Sequence, residues 1–238
     1  DSSGNAVSGV AVSFAVASGS ATINTASGTT NGSGQYSTTV SDTTAETPTF
    51  TVQYDSTANG TPDTTVTNGS AASVVFSAGA ASKVVFTQEP TNAVAGVDFS
   101  PTITATIQDA NGNTVNSTAN VVLSIDTGTG VLDGTTTVAA VGGIATFNNI
   151  NIDEAGSFTL DVDSAGLTKD TSASFVISAA AASQVNFTQE PTNASAGGTI
   201  NPAVTVTIQD AFGNTVNSTA NVSLAIASGT GTLDGTST

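Results

Sequence analysis

The sequence predicts an all-β protein, and three observations carry that prediction. Apolar residues alternate with small polar ones in short runs, the period-2 pattern of strands with one buried face. The composition suits pleated backbone. The chain is rich in Val and Thr, which are β-branched, whereas helix formers are scarce: four Glu, two Lys, and no Met or Arg in 238 residues. The runs also recur. Ser82–Thr137 returns almost intact at Ser183–Thr238, 101 residues later.

Both copies carry Phe-Thr-Gln-Glu-Pro-Thr-Asn-Ala (Phe86–Ala93 and Phe187–Ala194), then Thr-Ile-Gln-Asp, then Gly-Asn-Thr-Val-Asn-Ser-Thr-Ala-Asn-Val. A diverged third copy opens the chain, where Asp1–Val7 matches Asp109–Val115. A period near 100 residues is a small domain, not a solenoid unit. Three units follow: 1–81, the C-terminal part of a truncated domain; 82–182, a complete domain; and 183–238, the N-terminal part of another. The incomplete ends fit either a window on a longer chain or strands completed by another subunit. Residues 1–29 and 210–238 are equivalent parts of the repeat, so head and tail overlap, which counts against simple head-to-tail completion.

In the first unit, Val10, Val12, Phe14 and Val16 form one strand, and Gly32–Gly34 breaks the run. Tyr36, Thr38 and Val40 predict the next strand, Phe50, Val52 and Tyr54 another, and Val74–Phe76 the last, after a long polar loop at Asp55–Ser70. In the middle unit, Val84 and Phe86 face one way. The third unit has Asn186 where Val85 stands, which marks that position as outward-facing. Glu89-Pro90 ends this strand, since proline cannot continue a ladder. Strands follow at Ile103–Ile107, Val121–Ile125, Thr135–Val141 and Ala145–Phe147, where the alternation slips to Ile150 and Ile152 and predicts a bulge. Phe158–Val162 and Phe175–Ile177 complete seven strands. Seven short strands with frequent turns in about 100 residues predict tandem seven-stranded immunoglobulin-like β-sandwiches. The short Ala179–Ala182 linker sets them end to end.

The order Asp-x-x-Gly-Asn-x-Val-x-Gly-Val-x-Val-x-Phe at Asp1–Phe14, followed by Gly-x-x-Ser-x-x-Val at Gly34–Val40, resembles the bacterial immunoglobulin-like (Big) domains of the invasin and intimin type. The middle and third copies resemble it more loosely, with Ser117-Thr118 where the glycine would stand. The resemblance implies extracellular display, adhesion or a structural fibre on a prokaryotic surface, and it carries over no catalytic residue.

Charge narrows the partners. Eighteen acids against Lys83 and Lys169 give a net charge of −16. That argues against nucleic acid, which needs clustered Lys and Arg, and against anionic lipid. Without Cys or His there is no disulfide framework and no Ser-His or Cys-His nucleophile. No run reaches the ~20 apolar residues of a membrane span. A carboxylate pair could hydrolyse glycosides, but the acids fall at turns and strand ends, without Trp platforms. The sequence predicts no enzyme.

Two kinds of site remain. The turn Asp109-Ala-Asn111-Gly-Asn113 mimics the start of a calcium loop, yet Phe212 and Ser3 replace Asn111 in the other copies, and no Glu closes the loop. Asp capping its own turn accounts for what persists. A sharper expectation concerns the joints. The turn after strand two lies at the pole facing the previous unit, and the turn before strand six at the other pole. Asp153 and Glu154 should then approach Asp210 and Asn214, and Glu46 should approach Asp109 and Asn113, with Ca²⁺ as the candidate occupant. Asn-x-Ser/Thr sequons stand at Asn31, Asn59, Asn68, Asn116, Asn186, Asn193, Asn217 and Asn221, as candidates for glycans or as chance products of composition. The expected function is a structural tandem-repeat segment of an extracellular filament or giant surface adhesin, with neighbouring copies of the chain as partners. The alternative is a ligand- or glycan-binding adhesion module that meets a surface receptor or glycan.

Overall fold

The computed structural model describes residues 3–66 and 73–235, and among them there is no helix. The first unit holds β1 (Ala11–Ser18), β2 (Thr22–Ile23), β3 (Ser27–Thr29), β4 (Val40–Ser41), β5 (Thr49–Tyr54) and β6 (Thr64–Thr65). The middle unit holds β7 (Lys83–Gln88), β8 (Ala93–Val94), β9 (Ile103–Gln108), β10 (Asn120–Thr127), β11 (Leu132–Asp133), β12 (Thr137–Ala139), β13 (Ile144–Phe147), β14 (Asn151–Ile152), β15 (Gly156–Asp163), β16 (Asp170–Thr171) and β17 (Phe175–Ser178). The third holds β18 (Gln184–Gln189) and β19 (Thr205–Gln209). Among the described residues, every ladder joins strands of the same unit.

The middle unit is an immunoglobulin-like sandwich. One sheet runs β13-β9-β7; the other runs β12-β10-β15-β17-β8, with β16 on the flank of β15. Alternation places Val84, Ile103, Ala105, Ile107, Ala145 and Phe147 on the inner face of the first sheet. They meet Val121, Leu123, Phe158, Leu160, Val162, Phe175 and Ile177 of the second, all buried in one cluster. Phe175 packs edge-on to Phe99 at 5.3 Å and stacks on Phe158 at 6.0 Å. Burying each large side chain contributes about 1.5–3 kcal/mol, so this cluster is the unit's main source of stability.

Five details differ from the sequence expectation, the first being that the run Tyr36–Val40 forms a strand only at its end, in β4. After Glu89-Pro90 the chain crosses to the other sheet, where β8 pairs in parallel with β17 (Ile177↔Ala93, Ser178↔Val94). The slip between Phe147 and Ile150 is not a bulge but a change of partner: β13 pairs with β9, and β14 pairs with β11. Both sides of the slip stay buried because each meets a different neighbour. Val74–Phe76 form no strand; among the described residues the Ser73–Thr49 bridge and the Phe76 N–H to Glu46 O bond tie this segment down. The loop from Asp55 contains β6, which returns onto β5. The Asp55 carboxylate accepts N–H bonds from Thr57, Asn59 and Gly60, and Asp63 accepts from Ser56.

The third unit repeats the hairpin of the second. Lys83↔Gln108 through Gln88↔Thr104 recur as Gln184↔Gln209 through Gln189↔Thr205, with the same register shift near the end. Val84 is 0% exposed, whereas its counterpart Val185 is 51% exposed, because only the former lies under an opposing sheet.

Candidate functional site: the two joints between units

Turn chemistry builds each joint. Asp109 follows β9, and its Oδ1 accepts the N–H groups of Asn111 and Asn113, both at 2.9 Å. Its Oδ2 accepts Asn113 Nδ2 at 2.9 Å and the Gly79 N–H of the linker at 2.8 Å. Four donors fill about four acceptor sites of one buried carboxylate. Asn113 reaches the preceding unit. Its Oδ1 accepts the Ala45 N–H at 2.9 Å, and its Nδ2 donates to Thr43 O at 2.8 Å.

The second joint repeats this arrangement. Asp210 Oδ1 accepts the N–H groups of Phe212 and Asn214, while Oδ2 accepts Ala180 N–H and Asn214 Nδ2, all at 2.8–2.9 Å. Asn214 Oδ1 accepts the Ala155 N–H at 2.8 Å, and its Nδ2 donates to Asp153 O at 2.7 Å. The linker, the incoming turn and the outgoing turn are thus bonded together at both joints by the same side chains.

The charges follow this geometry. Bonds from the Asn113 amide and the Gly79 N–H hold the Asp109 carboxyl at about 2. Burial pushes Asp210 up, but bonds from Asn214 and Ala180 outweigh it, and the group lies below its ordinary value. Asp153 is raised by burial and by the facing Asp133, with Asp210 adding to the effect.

The structure brings the expected residues to the joints but not as expected. Asp153 offers its backbone carbonyl to Asn214. Glu154 lines one cavity with Asp153, Phe212 and Asn214, and its Oε1 accepts from Thr129. Glu46 accepts from Ser20 within the first unit, while its neighbours Thr43 and Ala45 make the joint. The Asp109 and Asp210 carboxylates, already filled with N–H donors, leave no free oxygens for a calcium cage. Among the described residues no three acidic side chains gather where they could hold a metal. Asparagine's use of both amide ends on backbone groups was not evident from the sequence, because its backbone partners carry no side-chain signal.

Seven sequons lie among the described residues, at Asn31, Asn59, Asn116, Asn186, Asn193, Asn217 and Asn221, and all seven asparagines are exposed. Asn68 lies outside the described residues. Asn186 is on β18, and its amide donates to Gln209 Oε1.

No protein-family model and no curated protein matches the chain. Among solved structures, the chain is similar to InvD of Yersinia pseudotuberculosis, at 20% identity and TM-score 0.40, over 91% of this chain and 64% of that one. It is similar to the Escherichia coli adhesin FdeC at 20% identity and TM-score 0.42, over 90% of this chain and 67% of that one. The D0–D1 region of intimin aligns at 20% identity and TM-score 0.31, over 74% of this chain and 85% of that one. The chain spans about 64% of the InvD structure it matches. No helix of the described residues is long and apolar enough to cross a membrane.

Proposed function

We propose that the chain is a structural tandem-repeat segment of an extracellular filament or giant surface adhesin of a prokaryote, and that it provides extension and stiffness rather than catalysis. One observation carries this reading. Two successive joints use the same Asp and Asn side chains, 101 residues apart, to bond the linker and both facing turns. A repeated joint propagates one relative placement of neighbours, which a spacer needs and a single binding module does not. The partners are neighbouring copies of the chain in a fibre, and the acidic surface keeps such a polymer soluble. Electron microscopy of the native particle tests this: a uniform beaded filament is expected, and a compact monomer with a ligand cleft would overturn it.

A further inference from the structure

The two joints share their hydrogen bonds but differ at one position of the incoming turn. Asn111 occupies it at the first joint and Phe212 at the second. The Phe212 backbone is held by its N–H bond to Asp210 Oδ1, at 2.9 Å. Its ring reaches back to the middle unit and lies on Gly96. A methyl carbon added at Gly96 would stand 2.3 Å from Cζ and 2.7 Å from Cε2 of that ring. Gly96 is itself fixed: its N–H donates to Ile152 O at 3.1 Å, and its φ is +73°, a backbone region that disfavours other residues. The ring is 47% exposed, so one face is covered by the preceding unit. Asn214 and Asp210 bond the facing turn and the linker of the middle unit, which fixes which surfaces meet but leaves a residual rotation about those bonds. A flat ring seated on the bare backbone of Gly96 adds a further point of contact and removes that rotation. The same seat recurs at Gly197, with φ +77° and open space where a side chain would begin.

We propose that Phe212 on Gly96 is a keyed contact that sets the rotation of the third unit on the second. The residue two places after the joint aspartate then selects its neighbour: an aromatic there fits a module that presents glycine at this seat. The proposal rests on the stacking reading above. It makes the second joint narrower in orientation than the first.

The test uses the whole chain, which has no cysteine of its own. Spin labels at Ser124→Cys and Thr219→Cys report the second joint, and labels at Gln53→Cys and Ser124→Cys report the first. The expected result is a narrow distance distribution across the second joint and a broader one across the first. Phe212→Ala and Phe212→Asn should abolish the narrow peak and leave the first joint unchanged. Gly96→Ala should broaden the second joint in the parent chain, but add nothing in the Phe212→Ala background, because the two residues act through one contact. A narrow second joint that survives Phe212→Ala, or additive effects of the two substitutions, would overturn the proposal and leave the stacking intact. Broad distributions across both joints in the parent chain would sink the stacking reading itself.

Discussion

Replacing Asn113 by alanine isolates what one side chain contributes to a joint. The change removes three bonds: Ala45 N–H to Oδ1, Nδ2 to Thr43 O, and Nδ2 to Asp109 Oδ2. The first two cross between units. At roughly 0.5–1.5 kcal/mol each, their loss weakens the joint by about 1–3 kcal/mol. Amide hydrogen exchange reads this directly. Ala45 N–H loses its acceptor, and Gly79 N–H remains bonded to an Asp109 that is now less firmly held. Exchange at Ala45 should accelerate roughly 5- to 150-fold, since every 1.4 kcal/mol is tenfold. Gly79 should follow in the same direction, while Ala155, at the other joint, should not change. The Asp109 carboxyl should also rise from about 2 towards the ordinary value, because it loses the largest contribution that holds it down. Unchanged exchange at Ala45 would refute the reasoning, as would acceleration of equal size at Ala155.

Acid should loosen the first joint in a defined window. The folded Asp109 value, about 2, lies below its ordinary 3.8, so its contribution is fully present above about pH 4 and is lost as pH falls through about 2; label distances across the joint should broaden there and not near neutrality. A chelator should leave those distances unchanged, since the joint carboxylates are filled by N–H donors; broadening on chelation would show a bound cation instead. Leu160→Ala, at a fully buried site, should cost about 2–5 kcal/mol in urea unfolding. Its surface control Val141→Ala, at a site 81% exposed, should stay within about 0.5 kcal/mol. Gly143→Ala should destabilise by about 1–3 kcal/mol in the same assay, because its new carbon would stand 2.1 Å from Val115 O at a φ of +88°.

Alternation was a sufficient guide to the middle sandwich. Residues of one parity, such as Ile103, Ala105 and Ile107, or Phe158, Leu160 and Val162, form the apolar core, although Thr106 and Asp161 of the other parity are covered as well. It was blind to pairings of two residues. β8, β11, β14 and β16 have no period to show, and their order is set by which neighbour covers them. It misled at Val74–Phe76, where three apolar residues lie outside any strand; Val75 is left mostly exposed. For the joints, pole geometry placed the right turns together, because turn positions follow from strand count. Acidic residues suggested a cation, whereas the structure uses asparagine against backbone groups and keeps Glu46 and Glu154 for bonds within their own units. Phe212 was legible as an isolated aromatic, but its seat on Gly96 depends on two residues 116 positions apart that no local pattern links.

The parallel pairing of β8 with β17 bears on how a unit responds to tension. Pulling on the two ends of the chain enters the middle unit near its first strands and leaves it through its last. Because β8 and β17 lie side by side and point the same way, that pull slides them lengthwise past each other. The Ala95 N–H to Ser178 O bond and the Val176 N–H to Asn92 bond are then strained at once, not opened in turn like a zip. A unit wired this way meets the pull by shear along that short ladder and not by peeling it from one end.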